Sequence, residues 1–216
     1  MSSSTEPSST SRPVRILLVD DHPMILAGLA DTIANEADLR VVGELDDGAP
    51  VLDAFEALRP DITIMDIAMP GLDGLQALEA LRRRHGQARV IMLTTLRGDH
   101  QMRRALELGA AGFLMKHTLR KDLIAAIRAV HAGRRWVPDD VARTLVEHLG
   151  QPNLSEREMD VLRSAAAGNG NKQIGVRLGI AEDTVKAHIR TILAKLGAND
   201  RTHAVAIALK RGIISL

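Results

Sequence analysis

Between Val14 and Ala132 the chain switches five times between short, largely apolar or β-branched runs and longer stretches whose apolar residues recur at helical spacing. The short runs are Arg15–Val19, Leu39–Gly43, Ile62–Met65, Val90–Leu93 and Gly112–Met115, rich in β-branched and aliphatic residues. Such runs make strands buried on both faces, as in a parallel sheet. The stretches between them include Met24–Ala34 and Leu72–Arg83. The last, Leu119–Val130, puts Leu119, Leu123, Ile124, Ile127 and Val130 on one helical face. Strands alternating with helices of this length predict βαβ units and a small doubly wound α/β domain.

Gly133-Arg134-Arg135 breaks that rhythm, and Val137-Pro138-Asp139-Asp140 opens a further helix, Val141–Leu149. Gly150-Gln151-Pro152-Asn153 reads as a linker, and beyond it the pattern is wholly helical. Ser155 and Glu158 stand at capping-box spacing, the serine accepting from a free backbone N–H while the glutamate reaches back. Three more helices are predicted, Lys172–Leu178, Glu182–Leu196 and Thr202–Lys210. Gly179 and Gly197 stand at helix ends, where a left-handed residue is cheap only for glycine. The expected division is a disordered tail at 1–13, an α/β domain at 14–133, a linker with a helix at 134–153 and an all-α domain at 154–216.

Composition sharpens this picture in three ways. A length of 216 residues suits two domains, and 45% apolar residues with only 1% aromatics make two aliphatic cores. The formal charge of +1 conceals a division. From Gly150 onward ten Lys/Arg face six Asp/Glu, while the remainder has eighteen against twenty-one. A basic back half suggests a nucleic-acid partner. The chain has no Cys, which excludes disulfides and thiolate metal sites and suits a reducing cytosol. The polar opening segment has no apolar core and is not a secretory signal. No apolar run approaches the roughly 18 residues of a membrane span. The expectation is a soluble, cytoplasmic protein with no membrane partner.

Polar residues end the predicted strands: Asp20-Asp21 after the first, Asp66 after the third, Thr94 after the fourth and Lys116 after the fifth. In an open α/β sheet, residues at the carboxyl ends of strands converge on one crevice. Three carboxylates, a hydroxyl and an ammonium would meet there, and buried charges are costly unless paired or bound to metal. The acids are the oxygen donors that Mg²⁺ favours. Asp66 suits a nucleophile that forms an aspartyl phosphate, and Lys116 can neutralise a phosphoryl oxygen as a compact charge. Singly, each residue has a plainer use: Asp20-Asp21 ahead of a helix can cap it, Asp66 can be a turn residue and Lys116 a solvated strand end. Their joint order and spacing point to a phosphoryl-accepting site.

The segments I-L-L-V-D-D-H-P, I-M-D-I-A-M-P-G-L-D-G, V-I-M-L-T-T and G-A-A-G-F-L-M-K resemble the receiver domain of bacterial two-component response regulators. The resemblance implies a flavodoxin-like, five-stranded parallel sheet of order 2-1-3-4-5. It also implies Asp66 as phosphoacceptor, with Asp21, supported by Asp20, and the Ala68 backbone carbonyl as Mg²⁺ ligands. Thr94 and Lys116 match the switch hydroxyl and the phosphate-binding lysine. Phe113 stands where the family has its switch aromatic, and it serves equally as an ordinary core residue. In this family the side chains two positions after the phosphoacceptor and two after the switch hydroxyl orient or exclude the attacking water. Here they are Ala68 and Leu96, neither of which hydrogen-bonds water, so slow loss of the phosphoryl group is expected.

In N-K-Q-I-G-V-R-L-G-I-A-E-D-T-V-K-A-H-I-R-T-I-L-A-K-L-G, a short helix, a Gly-containing turn and a longer helix follow in order, the layout of a helix-turn-helix. Val185, Ile189, Ile192, Leu193 and Leu196 recur on one face, with Lys186, Ala187 and Arg190 opposite. With L-S-E-R-E-M-D-V-L and K-L-G-A-N-D-R-T-H-A-V, these segments resemble the LuxR-type DNA-binding domain, and the whole chain resembles the NarL/FixJ class. By position, Lys186, Ala187 and Arg190 would enter the groove of double-stranded DNA, with Lys172 and Thr184 near phosphates. The family usually has Ser or Thr at the positions of Gly170 and Ala181, both helix N-caps here. The implied function is a transcriptional regulator phosphorylated by a sensor histidine kinase and acting as a homodimer. Val205, Ala206 and Leu209 would form either a dimer contact or core. The rival functions are a regulator whose helical domain binds a protein, and a metal-dependent phosphohydrolase, for which no separate acid–base residue is evident.

Overall fold

The computed structural model describes residues 12–95, 99–147 and 154–214. Most of the expected tail, Leu96, Leu149 and the linker at 150–153 lie outside the described residues. Two compact units make up the chain, one holding the sheet with four of its helices and the other holding the remaining helices.

In the first unit β1 (Val14–Val19), β2 (Leu39–Leu45), β3 (Ile62–Asp66), β4 (Val90–Thr94) and β5 (Gly112–Met115) form one parallel sheet of order β2-β1-β3-β4-β5. Every residue of β3, β4 and β5 is buried, as befits their largely apolar and β-branched sequences. The connections pass through α1 (Pro23–Ala34), α2 (Val51–Leu58), α3 (Gly74–Arg84) and α4 (Asp99–Glu107), and α5 (Leu119–His131) follows β5. Ile16, Leu18, Leu29, Ile64, Ile91, Leu123 and Ile127 share a core between the sheet, α1 and α5. The chain reverses its direction of travel across the sheet between β1 and β3. Ligands bind in open α/β sheets at such a switch point.

Two local features hold the strand ends in place. Helix α3 begins at Gly74 rather than at Leu72, because Asp73 caps it. The Gln76 N–H donates to Asp73 Oδ1 at 2.8 Å, and the Asp73 N–H donates to Gln76 Oε1 at 3.2 Å. A Cβ at Gly74 would stand 1.9 Å from the Asp66 carbonyl oxygen, so only glycine lets the helix approach the end of β3 this closely. After α5 the chain returns along β5. The Phe113 N–H donates to the Trp136 carbonyl at 2.8 Å, and the Trp136 N–H donates to the Ala111 carbonyl at 3.2 Å. The break in rhythm at Gly133-Arg134-Arg135 gave no sign of that pairing.

In the second unit α4 joins α6 (Asp139–Glu147), α7 (Glu156–Ala166), α8 (Asn171–Leu178), α9 (Glu182–Leu196) and α10 (Arg201–Lys210). Leu162, Ile174, Val185, Ile192, Ala204, Ala208 and Ile213 form a separate core. The capping box on α7 is present, with the Ser155 N–H donating to Glu158 Oε2 at 2.7 Å. Glu158 also receives Lys195 Nζ at 2.7 Å, which ties α7 to α9. In α10 the buried residues are Ala204 and Ala208, while Val205 and Leu209 pack partly on the core and Ala206 is exposed.

Candidate functional site

The carboxyl ends of β1, β3 and β5 bring Asp20, Asp66 and Lys116 into contact. Asp20 is fully buried and Asp66 nearly so. Lys116 Nζ lies 2.8 Å from Asp20 Oδ2 and 2.8 Å from Asp66 Oδ2. Asp20 Oδ1 accepts the His22 N–H at 2.9 Å. This is not helix capping, since the N-cap of α1 is His22, which makes no side-chain cap, and Pro23 follows it. Asp21 is partly exposed beside the pair. Thr94 is buried at the end of β4, where its carbonyl accepts the Lys116 N–H at 2.8 Å. The exposed Ala68 gives its backbone N–H to the Asp66 carboxylate. Phe113 is fully buried on β5, three residues before Lys116.

The electrostatics favour a bound cation. Burial pushes the Asp66 carboxyl up from its ordinary value; Lys116 pulls the other way, and the neighbouring Asp20 charge adds to the rise. At Lys116 burial works to lower the value, but hydrogen bonds to Asp20 and Asp66 outweigh it and hold the ammonium above its usual range. One ammonium set against Asp20, Asp21 and Asp66 leaves the pocket negative. Those three acids and His22 each offer one ligand atom, all within 4.8 Å of one another. An oxygen-rich donor set of this kind fits a divalent ion such as Mg²⁺. The sequence alone does not single out His22, whose place directly after two acids gains meaning only from the geometry.

In the helical unit α8, a turn and α9 follow as the sequence predicts. Gly179 takes the left-handed conformation with φ 65°, and the Ile180 N–H closes the turn on the Gly175 carbonyl at 2.9 Å. Val185, Ile192 and Leu196 are buried, whereas Thr184, Lys186, Ala187 and Arg190 lie exposed on α9, and Lys172 is exposed on α8. Lys186 Nζ is paired with Asp183 at 3.0 Å and Glu182 at 3.4 Å. Gly170 and Ala181 are the N-caps, and neither has a side-chain cap. At Gly170 only the return half of the box survives, its N–H donating to Gln173 Oε1 at 2.7 Å.

The profile of the response regulator receiver domain matches residues 16–128, and that of the luxR family of bacterial regulatory proteins matches residues 152–208. The chain belongs to the NarL/FixJ class of response regulators. Its relatives are transcriptional regulators. The transcriptional regulatory protein YdfI of Bacillus subtilis is 35% identical over 94% of this chain and 98% of its own length. LiaR of the same species is 34% identical over 94% of this chain and 100% of its own. Among solved structures, RcsB of Salmonella enterica serovar Typhimurium, bound to a promoter in the presence of the phosphomimetic BeF₃⁻, is 25% identical. It matches with a TM-score of 0.70 over 92% of this chain and 99% of its own. ChrA, a response regulator of a heme-sensing two-component system, is 34% identical with a TM-score of 0.56, covering 94% of this chain and 99% of that one. This response regulator is therefore a DNA-binding transcriptional regulator of a two-component system rather than an enzyme. Among the described residues, no helix is long and apolar enough to cross a membrane.

Proposed function

We propose that Asp66 is the phosphoacceptor and that its phosphorylation by a sensor histidine kinase controls DNA binding by the helical domain. The observation that carries this reading is Lys116 held 2.8 Å from both Asp20 and Asp66 at the switch point of the sheet. An Asp66 oxygen attacks the phosphorus of a phosphohistidine. The P–O bond forms as the P–N bond breaks, and the released imidazole takes up a proton. Lys116 then exchanges its contact with the carboxylate for one with a phosphoryl oxygen. Mg²⁺, held by Asp21, Asp66 and the Ala68 carbonyl with Asp20 in support, would neutralise charge on the transferred group. Thr94 donates its hydroxyl to that group once it arrives, and Phe113 on the neighbouring strand answers the change.

On the DNA side, Lys186, Ala187 and Arg190 face the major groove, with Lys172 and Thr184 near phosphates. Their shared exposure on α8 and α9 supports this assignment. The functional parts are a receiver domain at 14–133, a linker with a helix at 134–153 and a DNA-binding domain at 154–216, acting in the cytoplasm as a dimer when phosphorylated. Incubating the protein with acetyl phosphate and Mg²⁺ tests the assignment. Acid-labile phosphate is expected on the wild type and absent from Asp66→Asn, and undiminished label on the variant would end it.

A further inference from the structure

The His22 imidazole has no part in the chemistry above, yet it faces the same carboxylates. Its Nδ1 lies 3.1 Å from Asp20 Oδ1, at hydrogen-bond distance, and 2.7 Å from Asp21 Oδ1. The approach to Asp21 is close but not aligned for hydrogen bonding, and Asp21 Oδ1 is buried with no hydrogen-bond partner. In octahedral coordination with ligands about 2.1 Å from the ion, adjacent ligand atoms stand about 3 Å apart. Both spacings at His22 match such an edge. Lys116 holds the Oδ2 atoms of Asp20 and Asp66, so it does not compete for the Oδ1 atom that faces the imidazole. The His22 side chain is 62% exposed, which leaves the ring free to turn onto an ion without opening the core.

Donor chemistry then decides which ion fits. Mg²⁺ takes oxygen ligands and dehydrates reluctantly, whereas Mn²⁺ accepts the same carboxylates and, as a first-row transition ion, an imidazole nitrogen beside them. We propose that His22 Nδ1 is a direct ligand at this site and makes it selective for a divalent transition ion such as Mn²⁺ over Mg²⁺. The proposal rests on the reading of Asp20, Asp21 and Asp66 as the cation site of the receiver domain.

The test uses the full-length protein at one fixed pH throughout. Free Mn²⁺ is followed by electron paramagnetic resonance, and Mg²⁺ affinity is read by competition against it. His22→Ala should weaken Mn²⁺ by roughly tenfold or more, since even outer-shell losses cost that much, while Mg²⁺ affinity changes less than about twofold. His22→Gln, which keeps a side chain of similar reach over the site, should give the same collapse of selectivity. Asp21→Asn should weaken both ions. Equal losses for Mn²⁺ and Mg²⁺ in the His22 variants, or no loss of either, would overturn the role of His22 and leave the cation site standing. Failure of the wild type to bind either ion would remove the cation site itself, and the role of His22 with it.

Discussion

At the residue scale, Asp66 is a group the fold tolerates rather than one it profits from. Burial raises its carboxyl above the ordinary value, despite the opposing pull of Lys116. An acid raised in this way contributes most to stability below its unfolded value, and that contribution is lost as pH rises through the folded value. At neutral pH the ionised carboxylate therefore destabilises the receiver domain. Asp66→Asn should raise the melting temperature in EDTA near pH 7, with the gain shrinking as pH falls toward the ordinary carboxylate range. A lower melting temperature for the variant at neutral pH would contradict this account of the site. On the proposed assignment the same position would carry the phosphoryl group. Ala68, next to Asp66, has no side-chain donor or acceptor with which to orient water, so Ala68→Asn should speed loss of the phosphoryl group in a simple chase. Unchanged decay would remove the water-positioning argument. The site acids, Thr94 and Lys116 were legible because each follows an apolar strand, so chain order alone places them at strand ends. His22 was not, because an imidazole beside two acids has no meaning until the geometry shows which atoms face it.

At the scale of the elements, the strands were legible to within a residue or two, since short runs rich in β-branched and aliphatic residues are too brief for helices and suit buried strands. Helix starts were less so. The apolar rhythm put α3 at Leu72, but the Asp73–Gln76 capping box fixes it two residues later. The need for glycine at position 74 comes from the approach of α3 to the Asp66 carbonyl, a tertiary contact with no local sign. Gly74→Ala should cost at least about 2 kcal/mol by forcing α3 off the end of β3; a denaturant midpoint equal to wild type would show that the helix can give way. In the helical domain, Ala181 leaves the start of α9 without a side-chain cap. Ala181→Ser should add about 0.5–2 kcal/mol to its stability, read as a higher denaturant midpoint. Glu158 works in the opposite sense to Asp66. Burial would raise its carboxyl, but Lys195 and the Ser155 N–H outweigh it and hold the value below 4.5. Its contribution is present above pH 4.5 and is lost as pH falls through the lowered folded value. Lys195→Met should cost about 1–3 kcal/mol at neutral pH and narrow that acid-side loss.

For the whole molecule, the central claim is that phosphoryl transfer to Asp66 governs how the helical domain reads DNA. A single helix-turn-helix reads few bases, and a two-fold dimer maps onto two similar half-sites. Arg190→Ala should cost roughly 1–3 kcal/mol with relaxed specificity if the guanidinium reads a base. If it touches only phosphate, binding should weaken alike on all sequences, with a salt slope shallower by about one. Unchanged affinity and salt dependence for a Lys186→Ala/Arg190→Ala double variant would take α9 out of the groove. The most direct test of the central claim is sequencing the DNA that the full-length protein selects from a random pool with Mg²⁺ and acetyl phosphate, beside Asp66→Asn treated identically. The account predicts paired, two-fold related half-sites enriched by the wild type and lost or sharply reduced with the variant. Equal enrichment of the same sites by both proteins would contradict it.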